Sequence, residues 1–300
     1  MAGPSVSNVE SRREPVFAGR FYPADDAECQ RAAESFVKNA EVGGNDRTRW
    51  IGGLVPHAGW ICSAAIAGQT IAAMAAGTTP DVVIVFGAIH TPVPTPVAAL
   101  DVHRKWHVPG ADLEVAEFLH GKLSELKTLF TVDERFHARE HAVEVELPLI
   151  RAAWPNAMVL PVEVPVREDA IAMGQRAAQQ VLSSGLNAVY LASSDLTHYG
   201  PSYGFTPAGI GASALQWAKD NDRRLLQLVT DMRVEQIVPE VRARMNACGG
   251  GAIAAMMAAA REHGAGNGRL LGHTNSFETL ANIHPQPPTD AVGYASLVIA

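Results

Sequence analysis

Chemistry-bearing residues in this chain fall where buried strands should end. In Asn187–Gly200 the apolar run Val189-Tyr190-Leu191 gives way to Ser193-Ser194-Asp195-Leu196-Thr197-His198. A carboxylate and an imidazole three residues apart, delivered by a buried strand, suit a site in an open α/β sheet. Ligands of such sheets sit outside the carboxyl ends of the strands. The local alternative is that Asp195 and Thr197 cap the next turn and His198 lies on the surface. Two more runs end alike: Ile51 to Val55 stops at Pro56-His57, and VVIVFG, opened by Pro80-Asp81, ends at Gly87-Ala88-Ile89-His90. Cys248 precedes Gly249-Gly250-Gly251 and an Ala/Met helix. Imidazoles with a thiolate suit Fe(II), Cu or Zn rather than Mg or Ca. A thiol at a helix N-terminus has its pKa lowered by the dipole, which favours the thiolate a metal needs. For Cys248 the alternative is a small buried residue where backbones crowd, and for the glycines close packing. An anion cradle is weaker, because no Lys or Thr follows as in a P-loop. His137 and His141 would share one helix face and could bind a metal, but Glu140 between them does not complete HExxH. No G-x-S-x-G elbow surrounds Ser193 or Ser194, which argues against a serine hydrolase.

The elements needed to place these residues alternate. Asp25 and Asp26 can cap a helix with Ala32, Ala33, Phe36 and Val37 on its apolar face. The aromatic stretch Phe17-Ala18-Gly19-Arg20-Phe21-Tyr22-Pro23 precedes it as a loop, and Gly43-Gly44-Asn45-Asp46 follows as a turn. Ser63 opens a helix with Ile66, Thr70 and Met74 on one face and Gly77 as its stop. The Pro-rich TPVPTPV after His90 prevents a helix there. Residues 111–130 read as a helix, and a second begins near His141, with Val143, Leu147 and Ile150 as its apolar face. Then come a strand over Ala157–Val164, a helix over 167–183, the strand Asn187–Ala192, helices beyond Gly211, and closing strands at Arg269–His273 and Val292–Ile299. This order predicts a three-layer α/β fold around a largely parallel mixed sheet, with antiparallel strands at the end. Residues 1–13 read as loose and 14–300 as a single domain.

The chain has 300 residues, 47% apolar and 18% charged, enough for a large core. Its net charge of -7 carries no basic block, so nucleic acid and anionic membrane are poor partners. Three irregularly spaced cysteines fit a reducing cytoplasm better than a disulfide framework. The N-terminus lacks the apolar core of a secretory signal. No run approaches the roughly 18–20 apolar residues of a membrane span.

Several segments also carry a resemblance. Val55-Pro56-His57-Ala58-Gly59, Gly87-Ala88-Ile89-His90 and Glu140-His141-Ala142-Val143-Glu144-Val145-Glu146-Leu147-Pro148 come first. Ser193-Ser194-Asp195-Leu196-Thr197-His198-Tyr199-Gly200, Asn246-Ala247-Cys248-Gly249 and Gly293-Tyr294-Ala295-Ser296 follow. In this order, with Gly19-Arg20-Phe21-Tyr22-Pro23 ahead of them, they resemble the successive signatures of the Memo family over roughly residues 15–300. That family includes proteins called AmmeMemoRadiSam system protein B. The resemblance implies a fold like the class III extradiol ring-cleaving dioxygenases, which use non-haem Fe(II). It implies His57, His90 and Cys248 as ligands of one transition metal ion, Fe(II) foremost, with Cu or Zn as alternatives. Asp195 and His198 would line the same pocket, with His198 as acid/base, and His141 would be a further pocket residue. The chain departs from those enzymes in carrying a cysteine where they have a glutamate ligand. The implied activity is metal-dependent redox or oxygenase chemistry on a small molecule or peptide, with AMMECR-type and radical SAM proteins as partners. A Zn-dependent hydrolase and a non-catalytic peptide- or partner-binding module are the other readings. Because Asp195 and His198 share one loop, the carboxylate is expected to raise the His198 pKa and favour the imidazolium.

Overall fold

The computed structural model describes residues 11–40, 48–281, 283–285 and 287–300. The turn expected at Gly43–Asp46 and residues 1–10 lie outside them. In chain order the elements are β1 (Arg12–Arg13), α1 (Asp26–Lys38), β2 (Gly52–Val55), α2 (Trp60–Ala75) and β3 (Val82–Gly87). Next come β4 (Ala98–Leu100), β5 (Lys105–Val108), β6 (Ala111–Glu114), α3 (Glu117–Ser124), β7 (Phe130–Val132), α4 (Glu134–His137) and α5 (Leu147–Ala153). The second half holds β8 (Met158–Glu163), α6 (Ala170–Ser184), β9 (Ala188–Ser193) and β10 (His198–Tyr199). Last are α7 (Ala212–Thr230), α8 (Val234–Arg244), α9 (Gly250–Glu262), β11 (Gly268–Asn275), α10 (Ser276–Leu280) and β12 (Ala291–Ile299).

The main sheet runs β10-β12-β2-β9-β3-β8-β4-β7, with β11 also paired to β12. Its centre, β2, β9, β3 and β8, is parallel, and β12 closes one side antiparallel. Strands buried on both faces need no polar alternation, and every residue of β3 and β9 is buried. Helices α1, α2, α5 and α10 cover one face; α3, α6, α7, α8 and α9 cover the other. This is the three-layer architecture that the residue pattern and the resemblance both predict.

Local chemistry sets the helix limits. The Asp25 side chain accepts from the Glu28 N–H at the start of α1, the capping expected of it. Helix α9 is buried from Gly250 to Ala260, so its small residues let neighbouring backbones approach. A Cβ at Gly174 of α6 would sit 2.0 Å from the Ala255 carbonyl oxygen.

Four expectations need correction. Residues 111–130 are not one helix: the tight turn at Gly110, φ 78°, folds Ala111–Glu114 back onto β5, and only Glu117–Ser124 is helical. The second helix starts at Leu147 after a 3-10 turn over Glu144–Glu146. The reason is that the acidic residues before it turn inward to bond the backbone elsewhere. Pro148 lies in its first turn, where a missing N–H costs nothing. Helix α2 begins at Trp60, three residues early, because its N–H donates to the Phe21 carbonyl. Finally, residues 12–13 are not loose. They pair with β5, and Arg13 is buried.

Gly174→Ala tests the α6–α9 contact. Overpacking costs typically about 1–3 kcal/mol, against a helix-propensity gain of at most about 1 kcal/mol. Urea denaturation should therefore show a net loss of stability.

Candidate metal centre

Parallel register makes the site. Val55 of β2 pairs with Ser193 of β9, Ser193 with Gly87 of β3, and Gly87 with Glu163 of β8. The strands stop in one row, so the loops that follow share a rim. His57 and Asp195 lie two residues past the row and His90 three. Cys248 joins them from the other side, through a bridge between Leu196 and Ala247 and the Cys248 N–H donating to the Asp195 carbonyl at 3.2 Å. One ligand-type atom each from His57, His90 and Cys248 lie within 4.8 Å of one another.

The tautomers follow from the hydrogen bonds. Ser193 Oγ–H donates to the Ala142 carbonyl, so His57 Nδ1–H donates to Ser193 Oγ at 2.9 Å. That leaves the His57 Nε2 lone pair facing Cys248 Sγ at 3.2 Å. Burial holds the His57 pKa well below its usual value, so the ring is neutral, as a ligand must be. His90 Nδ1 lies 2.8 Å from Glu140 Oε1, again leaving Nε2 for the site. Metal-binding histidines characteristically spend their second nitrogen on such a partner. Burial works against a charge on His90, but hydrogen bonds to Cys248 and Glu140 outweigh it and carry its pKa up to about 11. These neighbours favour a positive charge at this point, which a proton or a metal cation supplies. The donor set therefore fits a transition metal ion.

Glu140 and Glu144 hold the rim, a task the sequence reading did not assign to them. Buried Glu140 accepts from the backbone N–H groups of His90 (2.6 Å), His141 (2.9 Å) and Ala142 (3.1 Å). Burial would raise its carboxyl, but His141 and His90 hold it well below the usual range. Buried Glu144 accepts from Arg13 (2.7 Å), the Val16 and Phe17 N–H groups (3.0 and 2.7 Å) and Tyr22 Oη (2.9 Å). It thereby ties the N-terminal aromatic loop to the site. Phe17 and Phe21 pack on His141 with ring centroids 5.4 and 4.9 Å apart, and His141 stacks on His90 at 4.6 Å. The signal was available as two glutamates, four apart, around an inward-facing histidine.

Two site expectations change. His137 and His141 do not form a chelating pair. His137 ends α4, is fully buried, and bonds the Ala99 carbonyl at 3.1 Å; the next helix starts only at Leu147, so no helix puts the two histidines on one face. Nor does Asp195 pair with His198. Its Oδ1 accepts the His57 N–H at 2.8 Å, and burial raises its pKa to about 7. His198 Nδ1–H donates to the Leu196 carbonyl at 3.0 Å, its ring packs edge-on to Tyr203, and burial lowers its pKa rather than raising it. His198 and Cys248 line one cavity of about 320 Å³ with Val166, Tyr203, Phe205 and Met245. The glycines after Cys248 serve close packing: a Cβ at Gly251 would sit 2.0 Å from the Pro165 carbonyl oxygen.

Beneath the rim, Glu163 fills the space left by Gly87, where a Cβ would lie 2.6 Å from Glu163 Oε2. Both Glu163 oxygens are buried without a hydrogen-bond partner among the described residues, and burial pushes its pKa well above the usual range. With its pKa raised, the folded state holds this proton to higher pH than the unfolded chain does. Its contribution is thus complete below about pH 4.3 and is lost as pH rises, by up to about 1.4 kcal/mol per pH unit. The Tm advantage of Glu163→Gln over the parent should therefore grow between pH 5 and pH 8 in thermal scans. An equal difference at both pH values would show that Glu163 is ionised in the fold.

The Memo-like protein family model matches residues 13–298. A MEMO1 family protein of Pyrococcus furiosus is 31% identical over 296 residues, covering 96% of this chain and 98% of its own. Another, of Methanococcoides burtonii, is 32% identical over 292 residues, with 96% and 99% covered. An uncharacterized protein of Escherichia coli K12, known from a crystal structure, aligns with a TM-score of 0.51 at 12% identity over 83% of this chain and 100% of the other. That likeness shows a shared fold. A match running almost from end to end, through every segment that builds the rim, makes this chain a member of the Memo family.

Proposed function

We propose that this protein is a metal-dependent redox protein of oxygenase type. One transition metal ion, Fe(II) foremost and Cu or Zn as alternatives, is held by His57, His90 and Cys248. An unidentified small molecule or peptide binds beside it. The observation that carries this reading is the facing of His57 Nε2 and Cys248 Sγ across 3.2 Å, with the other nitrogens of His57 and His90 already engaged. Bound Fe(II) or Cu would supply one-electron chemistry and Lewis-acid polarisation.

The protein's own groups divide the remaining work. His198 is neutral, with its donor nitrogen spent on Leu196, so Nε2 accepts a proton from a molecule in the cavity and can return it. Asp195 does not tune His198; it fixes the backbone that carries His57. His141, held against Glu140 at 3.3 Å, presents its ring between His90 and the Phe17–Phe21 wall and limits water on that side. The thiolate makes the site softer than one with three oxygen or nitrogen ligands, and open to oxidation at sulfur. A cytoplasmic location is proposed on the three free cysteines. Partnership with AMMECR-type and radical SAM proteins is proposed on the family resemblance alone, and co-purification tests it.

Metal analysis of protein purified without chelator should give about one ion per chain. His57→Ala and Cys248→Ala should each lose most of it; equal metal content in all three proteins would overturn the assignment. His198→Gln should retain the metal while oxygen consumption falls by about 10²–10⁴, the usual worth of acid–base catalysis. Loss of metal as complete as in His57→Ala would instead make His198 a ligand. Ester hydrolysis restored by Zn, or ligand binding without turnover, would replace the redox reading.

A further inference from the structure

Helix α7 presents Leu215, Ala218, Asp222, Leu225 and Val229 at helical spacing on a buried face, so a carboxylate stands in an otherwise apolar row. Its neighbour Asn221 is buried as well. Neither residue belongs to the rim, yet both reach it. Asp222 Oδ1 accepts the Thr197 N–H at 2.9 Å, and His273 Nε2 lies 3.0 Å from its Oδ2. Asn221 Nδ2 donates to Thr197 Oγ1 at 3.2 Å and to the Arg244 carbonyl at 3.0 Å. The Asn221 carbonyl in turn accepts from Asn246 Nδ2 at 3.0 Å. Gly293 of β12 leaves the room for this: a Cβ there would lie 2.1 Å from Asp222 Oδ2.

Two loops are therefore held from one turn of α7. One is Asp195–His198, whose Thr197 donates its N–H to Asp222 and accepts at its hydroxyl from Asn221. The other is Arg244–Cys248, gripped at Arg244 and Asn246 on either side of Met245, which sits at φ 53° in the left-handed region. That conformation is unfavourable for a residue with a side chain, so something must hold it. We propose that Asn221 and Asp222 are positioning residues that set where Cys248 meets His57 and His90. The inference rests on the metal-site reading. Partners of this kind, acting through ligands rather than as ligands, typically change metal affinity by about 10–100-fold when removed.

The test uses Co(II) alone as the probe on the full chain, following its uptake and the thiolate-to-cobalt absorption band. Asn221→Ala and Asp222→Asn should fold by circular dichroism, yet bind Co(II) about 10–100-fold more weakly, with a shifted band. Thr197→Val removes only the hydroxyl that Asn221 bonds, and should move both readouts the same way by less. Tyr190→Phe is the control. It deletes the bond to His263 at the opposite end of α9 and should leave Co(II) binding unchanged. If the parent binds no Co(II), the metal reading fails and this inference with it. If the parent binds and the folded variants match it in affinity and spectrum, the positioning role alone is overturned. Should Asn221→Ala not fold, Thr197→Val decides between the same two results.

Discussion

Register between parallel strands is the constraint on which the rest of this protein depends. Val55, Ser193, Gly87 and Glu163 lie in one row across four adjacent strands. Because the strands end level, the chain must leave all of them along one edge, and the loops meet there whatever their sequences. The row also explains a glycine. Gly87 has no side chain because the Glu163 carboxyl occupies that space, and the loop to His90 passes above it.

Holding such a rim requires burying charge, which is costly unless the charge is fully bonded. Four buried carboxylates show both outcomes. Glu140 and Glu144 are surrounded by backbone N–H donors, Tyr22 and Arg13, and Arg13 itself lies 4.0 Å over the Trp106 ring. These two convert a loop without regular structure into a fixed wall. Among the described residues, Glu146 and Glu163 have no such partners for one or both oxygens, and burial raises their pKa values instead. The difference is one of donors within reach, since the residue type and the burial are alike.

A consequence is that the site draws on parts far apart in the chain. The N-terminal segment reaches His141 through Glu144, and α7 reaches Cys248 through Asn221 and Asn246. Removing a donor in either place leaves a buried acceptor unbonded, at about 1–3 kcal/mol, in a segment that also carries a histidine or the thiol. Stability and site geometry are carried by the same bonds.

The sequence alone determined the architecture, the strand ends and the residues offered at them, because these follow from local properties. A β-branched run such as VVIVFG has few alternatives to a buried strand, Pro and Gly stop it, and His57, His90 and Asp195 come next in the chain. Residues 111–130 and the start of the second helix depart from the periodic pattern because a hairpin turn and two inward-facing glutamates override helical periodicity. What only the tertiary structure decided is who bonds whom. Asp195 and His198 are three residues apart, yet the carboxylate turns to the backbone of His57, 138 residues earlier, and His198 bonds Leu196. His137 and His141 are four apart, yet one bonds the Ala99 carbonyl of β4 and the other stacks on His90. Proximity in sequence offers a partner; burial selects whichever donor lies within hydrogen-bond reach, and that distance is set by the packing of the whole chain.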